Sequence, residues 1–170
     1  MLHVVEAFSG IGSQAKALQK LGIEYKILNT VEWDIAAFYA YDIIHNGKQD
    51  ISKYEDIPKE ELIRILSKYS LSSDWKTPIN MNFLRMWPED TLRRVLSAIN
   101  RTRNLGSIAD ISYMALPKKI DLLTYSFPCQ DLSLAGGGAG LRGERSGTFY
   151  PFWSIIRNLI STGRAPKLVA

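Results

Sequence analysis

His3-Val4-Val5-Glu6-Ala7-Phe8-Ser9-Gly10-Ile11-Gly12 is the stretch that decides the fold. A short, mostly apolar run is broken by a serine and two glycines. Residues 13–21 then read as a helix that stops at Gly22, a residue suited to a left-handed C-terminal turn. Residues 25–31 form a second strand candidate and lead into Glu32-Trp33-Asp34. Asp34 suits an N-cap, and residues 35–45 continue as helix until Asn46-Gly47. Strand and helix alternating twice predict an α/β fold built on a parallel sheet.

Moving outward, residues 48–104 interrupt the alternation. Pro58 can open a helix with Leu62, Ile65, Leu66 and Tyr69 at helical spacing. Pro88-Glu89-Asp90 opens another, with Leu92, Val95, Leu96 and Ile99 on one face and acidic residues in its first turn. Nine basic and five acidic side chains over residues 59–104 leave an excess of four positive charges. The whole formal charge of the chain, +4, can be assigned to this stretch, which reads as a helical insertion rather than a separate domain. Arg93, Arg94, Arg101 and Arg103 on it read either as a nucleic-acid contact or as a solvated helix face. The alternation resumes with strand candidates at residues 106–111 and 120–125. A glycine-rich loop over residues 126–147 follows, then a helix over about residues 148–162 with Phe149, Phe152, Trp153, Ile156 and Leu159 inward. Residues 166–170 look like the start of one more strand.

Composition bounds the rest. The 170 residues are 46% hydrophobic and 22% charged, with 12 Gly and 7 Pro, which excludes a disordered tail and a collagen-like fibre. The longest apolar stretch, residues 35–41, is far short of the ~20 residues a membrane span needs. No charged-then-apolar leader precedes the first strand, and a single cysteine cannot close an internal disulfide, so a reducing cytoplasm is expected. No metal is expected.

Several residues are candidates for chemistry. The turn Phe8-Ser9-Gly10-Ile11-Gly12 lets the backbone approach a ligand and leaves helix N–H groups pointing at it; alternatively it is a tight turn that binds nothing. Glu32, at the end of the second strand, is placed to accept hydrogen bonds from a ribose diol, with Trp33 beside it to stack on an adenine. The plainer reading is a helix N-terminal charge pair, Glu32 and Asp34, beside a core tryptophan. Asp110, ending the third strand candidate, lies where parallel sheets bind ligands and could accept the exocyclic amine of adenine; equally, it is a turn residue. Together these residues sketch an adenosine pocket without a diphosphate cradle, which favours S-adenosylmethionine over a dinucleotide. Ser126-Phe127-Pro128-Cys129-Gln130 places the only thiol in a polar, glycine-rich loop past a strand, a setting for a nucleophile rather than for a buried small hydrophobe. A free thiol is only a few per cent ionised at neutral pH, so such a site must activate it.

In order, the blocks Phe8-Ser9-Gly10-Ile11-Gly12, Glu32-Trp33, Asp110-Ile111 and Ser126-Phe127-Pro128-Cys129-Gln130 resemble four blocks of the DNA (cytosine-5) methyltransferases. Ser146-Gly147-Thr148-Phe149 behind the loop adds to the likeness. The resemblance implies a Rossmann-like S-adenosylmethionine-dependent methyltransferase sheet, incomplete here, with the helical insertion between the second and third strands. It implies that Phe8, Ser9, Gly10, Ile11 and Gly12 line the S-adenosylmethionine site. Glu32 would bind the ribose hydroxyls, Trp33 would pack on adenine, Asp110 and Ile111 would contact it, and Pro128 would border the cofactor. Cys129 would be the nucleophile toward a cytosine flipped out of duplex DNA, and Gln130, Ser133, Arg142 and Arg145 would lie on a loop closing over the DNA. The setting implied is DNA methylation of the restriction–modification type. The family's Glu-Asn-Val block, its target recognition domain and its closing blocks have no counterpart in residues 1–170. The expectation is therefore the N-terminal part of a catalytic domain, a fragment or one half of a split enzyme, inactive without a complementing C-terminal half. A tRNA cytosine-5 methyltransferase and a non-catalytic cofactor- or nucleic-acid-binding module remain the alternatives.

Overall fold

A computed structural model describes residues 1–126 and 146–170. Four parallel strands, β1 (Leu2–Ala7), β2 (Tyr25–Val31), β3 (Leu122–Tyr125) and β4 (Leu168–Val169), stand in the order β2-β1-β3-β4. Helix α1 (Ser13–Lys20) joins β1 to β2, and α2 (Ile35–Asn46) follows β2. Then come α3 (Lys59–Leu66), α4 (Met81–Arg85) and α5 (Glu89–Thr102), and after β3 helix α6 (Phe149–Ser161) leads to β4.

The alternation of β1 side chains separates the two faces of the sheet. Val5 and Ala7 share an apolar cluster with Leu123 and with Phe152, Ile156 and Leu159 of α6. Glu6, fully buried, points the other way, toward α1 and α2. Its carboxylate accepts the Ala15 N–H at 2.9 Å and the Tyr41 hydroxyl at 2.5 Å. Burial pushes the Glu6 carboxyl above the ordinary glutamate range, and burial together with the Glu6 charge pushes the Tyr41 hydroxyl up as well.

Helices α3 to α5 build a second apolar cluster of their own. Leu62, Leu66, Leu84, Leu92 and Ile99 pack there with Phe38 of α2. Arg101 ties the end of α5 back to α2, bonding the Asn46 and Gly47 carbonyls and pairing at 3.2 Å with the buried Asp42. Arg93 bonds the Tyr54 and Glu55 carbonyls and Glu89. Of the four arginines considered for nucleic-acid contact, Arg93 is thus engaged within the insertion and Arg101 against α2, and Arg94 pairs with Asp90 at 3.7 Å.

The strand expected at residues 106–111 does not form. Asn104 makes a single parallel bridge to Thr30, and Gly106, at φ +82°, then turns the chain away; a side chain there would press on the Ser70 carbonyl at 3.2 Å. The strand expected at residues 120–125 is therefore the third of the sheet, and Asp110 ends no strand. Helix α4 and the short 3-10 turns were not expected. On α6, Phe152, Ile156 and Leu159 are inward as expected, but Trp153 is 47% exposed and Ile155 is buried in its stead. The aromatic pattern suggested a wider apolar face than one helix presents to one sheet.

Candidate active site

In a parallel sheet of order 2-1-3-4, connections leave β1 and β3 in opposite directions, and ligands bind outside the carboxyl ends of the strands at that divergence. The segments arriving there are residues 8–12 after β1, residues 32–34 after β2, and the chain past Tyr125 after β3. Phe8 takes φ +53°, costly for a bulky side chain, and Gly10 and Gly12 take +52° and +85°. This coil turns the Gly10 N–H onto Glu32, whose Oε2 accepts it at 3.0 Å. The Asp34 N–H donates to Oε1 of the same carboxylate at 2.9 Å. Both oxygens keep further acceptor capacity for ligand hydroxyls. Burial raises the Glu32 carboxyl above its ordinary range, against the pull of those two N–H donors.

The glycines differ in what requires them. A Cβ at Gly10 would meet nothing within 4 Å among the described residues, so the turn is open at that position among them. A Cβ on Gly12 would lie 2.6 Å from a Tyr41 ring carbon and collide with the His45 ring. Ser9 is buried, and its Oγ finds no hydrogen-bond partner among the described residues. An orphaned hydroxyl beside an open glycine turn and a carboxylate fits a polar ligand such as a nucleoside. Around the ends of β1 and β3, Tyr125 stacks on Phe152 at 4.6 Å, and Phe8 lies 6.2 Å from the same ring.

Of the expected site residues, the glycine turn and Glu32 are in direct contact. Trp33 is half-buried, with its carbonyl accepting the Ser72 N–H at 2.7 Å. Ile111 packs on the same apolar cluster as Phe8. Asp110 is exposed on a turn, its N–H bonded to the Ser107 carbonyl, and is not drawn onto Glu32 or the glycine turn by any hydrogen bond among the described residues. Pro128, Cys129, Gln130, Ser133, Arg142 and Arg145 lie outside the described residues; by sequence Cys129 stands four positions past the end of β3. Two contributors have no signature in the sequence. Asn104 holds the Glu32 backbone from 72 positions away, and Ser72 holds Trp33 and Ile35. Nothing local to a polar residue after a helix, or within a Leu-Ser-Ser-Asp turn, reports such a long-range contact.

The sequence profile of C-5 cytosine-specific DNA methylases matches residues 87–167. The chain is 41% identical over 167 residues to the orphan methyltransferase M.SssI of Spiroplasma monobiae, covering 95% of this chain and 42% of that protein. It is 33% identical over 162 residues to the type II methyltransferase M2.ScrFI of Lactococcus lactis subsp. cremoris, covering 93% and 44%. Among solved structures it is similar to the S. pombe Dnmt2 methyltransferase, at 16% identity and a TM-score of 0.42, covering 93% of this chain and 32% of that one. The chain spans less than half the length of the curated relatives named here. Likeness to these methyltransferases runs along nearly all of the chain, and the profile of C-5 cytosine-specific DNA methylases matches its second half.

Proposed function

We propose that the chain is the cofactor-binding and thiol-bearing part of an enzyme that methylates C5 of cytosine in duplex DNA through a covalent cysteine adduct at C6. The observation that carries this reading is the contact of the Gly10 N–H with Glu32 at the divergence of β1 and β3, the strand after which Cys129 follows. S-adenosylmethionine supplies a sulfonium methyl group that a carbon nucleophile can take. In this reading Glu32 accepts the ribose hydroxyls, Ser9 offers its orphaned hydroxyl, and Gly10, Ile11 and Gly12 let the backbone come close. Phe8, Trp33 and Ile111 pack on the adenine, Asp110 accepts its amine, and Pro128 borders it.

Cytosine in a duplex hides C6, so the base is swung out at a cost of a few kcal/mol. The Cys129 thiolate adds to C6, which makes C5 nucleophilic enough to be methylated. A base then removes the C5 proton, and the thiolate leaves as the C5–C6 double bond reforms. Gln130, Ser133, Arg142 and Arg145 close over the DNA. The N3 acid and the sequence reader are assigned to a complementing C-terminal half, whether it is the rest of a longer chain or a second polypeptide. A free thiol with this role suits the reducing cytoplasm, and no helix among the described residues is long and apolar enough to cross a membrane.

The test is trapping on a duplex containing 5-fluorocytosine, which cannot lose its C5 substituent as a proton. With the complementing half and S-adenosylmethionine present, the chain is expected to form a denaturation-resistant complex that Cys129→Ser abolishes. A chain that binds the duplex but never traps it would be a binding module, and trapping on tRNA alone would mark an RNA enzyme. Turnover on duplex DNA by the 170-residue chain by itself would refute the need for a second half.

A further inference from the structure

On the outer edge of β2 the hydrogen-bonding row continues past the strand. The Thr30 carbonyl accepts the Leu105 N–H at 3.0 Å, and the Thr30 hydroxyl donates to the Thr102 carbonyl at 3.2 Å. Glu32 comes next in this row, beyond the last residue of the ladder. Its N–H and C=O would be left without a strand partner, and a buried polar group left unpaired is destabilising. The side chain of Asn104 meets both. Its Oδ1 accepts the Glu32 N–H at 3.0 Å, and its Nδ2 donates to the Glu32 carbonyl at 2.8 Å. Asn104 is 3% exposed, and the same Oδ1 takes the Gly106 N–H at 3.2 Å. Arg103, at φ +51°, makes the left-handed turn that brings Asn104 off the end of α5 onto β2. A planar amide with an acceptor and a donor side by side imitates a neighbouring strand; aspartate lacks the donor, and leucine lacks both.

We propose that Asn104 is a positioning residue of the cofactor site, fixing the Glu32 backbone so that its carboxylate stands ready for the two hydroxyls of a ribose. The proposal rests on the reading of Glu32 as the ribose acceptor. Glu32 is then held at three places: its carboxylate by the Gly10 and Asp34 N–H groups, its own N–H and its own carbonyl by Asn104. Removing Asn104 leaves the carboxylate in place but frees the backbone that aims it.

The experiment titrates the full chain with S-adenosylhomocysteine and with its 2′-deoxy analogue, for wild type, Asn104→Ala, Asn104→Asp, Glu32→Gln and the Asn104→Ala/Glu32→Gln double variant. Wild type is expected to prefer the ribose ligand. Asn104→Ala and Asn104→Asp are expected to lose about tenfold in affinity for it, with much less change for the deoxy analogue. Their ribose preference then falls to that of Glu32→Gln, and the double variant loses nothing further. A merely structural role would weaken both ligands alike and leave the preference intact, which overturns the proposal. Should Asn104→Ala fail to fold, Asn104→Leu, which is close in size and lacks both donor and acceptor, and amide exchange at the Glu32 N–H decide: faster exchange there, with that of the Ala15 N–H unchanged, is expected, and unchanged exchange overturns it. If wild type binds neither ligand, the reading of the site falls, and this proposal falls with it.

Discussion

Gly12 and Gly10 sit two residues apart in one turn and answer to different demands. Gly12 stands at φ +85° against the rings of Tyr41 and His45, so Gly12→Ala combines a left-handed penalty with overpacking. A loss of about 2–4 kcal/mol is expected in urea unfolding. Gly10→Ala meets no atom among the described residues and carries the left-handed penalty, about 1–2 kcal/mol. If the space beside Gly10 belongs to the nucleoside, Gly10→Ala should instead weaken S-adenosylhomocysteine binding far more than its stability loss suggests, as calorimetric titration would read. Glu6 gives a pH prediction. Its carboxyl is raised in the folded chain, so its favourable contribution is complete below the ordinary glutamate range and declines as pH rises through the raised value. Glu6→Gln, which stays neutral, should gain on wild type between pH 5 and pH 8 in parallel unfolding curves. A constant difference across that range would count against a raised Glu6.

At the scale of elements, the pattern was readable wherever local chemistry sets the boundary. β2 occupies residues 25–31 as the apolar run implied, and Asp34 caps α2, its carboxylate accepting the Ala36 and Ala37 N–H groups at 2.8 and 3.3 Å. Asp34→Ala should cost about 1 kcal/mol, measured as a lowered denaturation midpoint with the slope unchanged. The strand imagined over residues 106–111 failed because apolarity alone does not make a ladder. Asn104 and Leu105 take the pairing positions on β2, and Gly106 then turns away. The glycine turn and Glu32 were legible because a strand–turn–helix order and a carboxylate about 20 residues later are local patterns. Asn104, Ser72 and the Glu6–Tyr41 contact were not, since each joins segments that only the folded chain brings together.

For the whole molecule, the sheet ends in two residues of β4, with Leu168 59% and Val169 39% exposed. Among the described residues no strand pairs with the outer side of β4, and such an edge invites association, so sedimentation of the purified chain is expected to show concentration-dependent self-association. At the amino ends of the strands, Asp121 accepts the His3 N–H at 2.9 Å and pairs with Lys167 at 2.7 Å, joining β1, β3 and the approach to β4. These partners hold its carboxyl well below the usual range, Lys167 foremost. Its contribution is therefore present above the ordinary aspartate value and lost as the solution is acidified through the depressed one. Lys167→Ala should narrow that acid-dependent loss, which acid titrations followed by circular dichroism would detect.

Val31 belongs to the apolar cluster beneath α6, and Ile35 to the cluster of the inserted helices. Glu32, Trp33 and Asp34 therefore form the seam between two bodies of hydrophobic packing, each able to loosen on its own. Warming that melts the inserted helices first would slacken one bank of the proposed nucleoside cleft while the other stays firm. Affinity for the nucleoside should then fade at a temperature below that at which the strands themselves come apart.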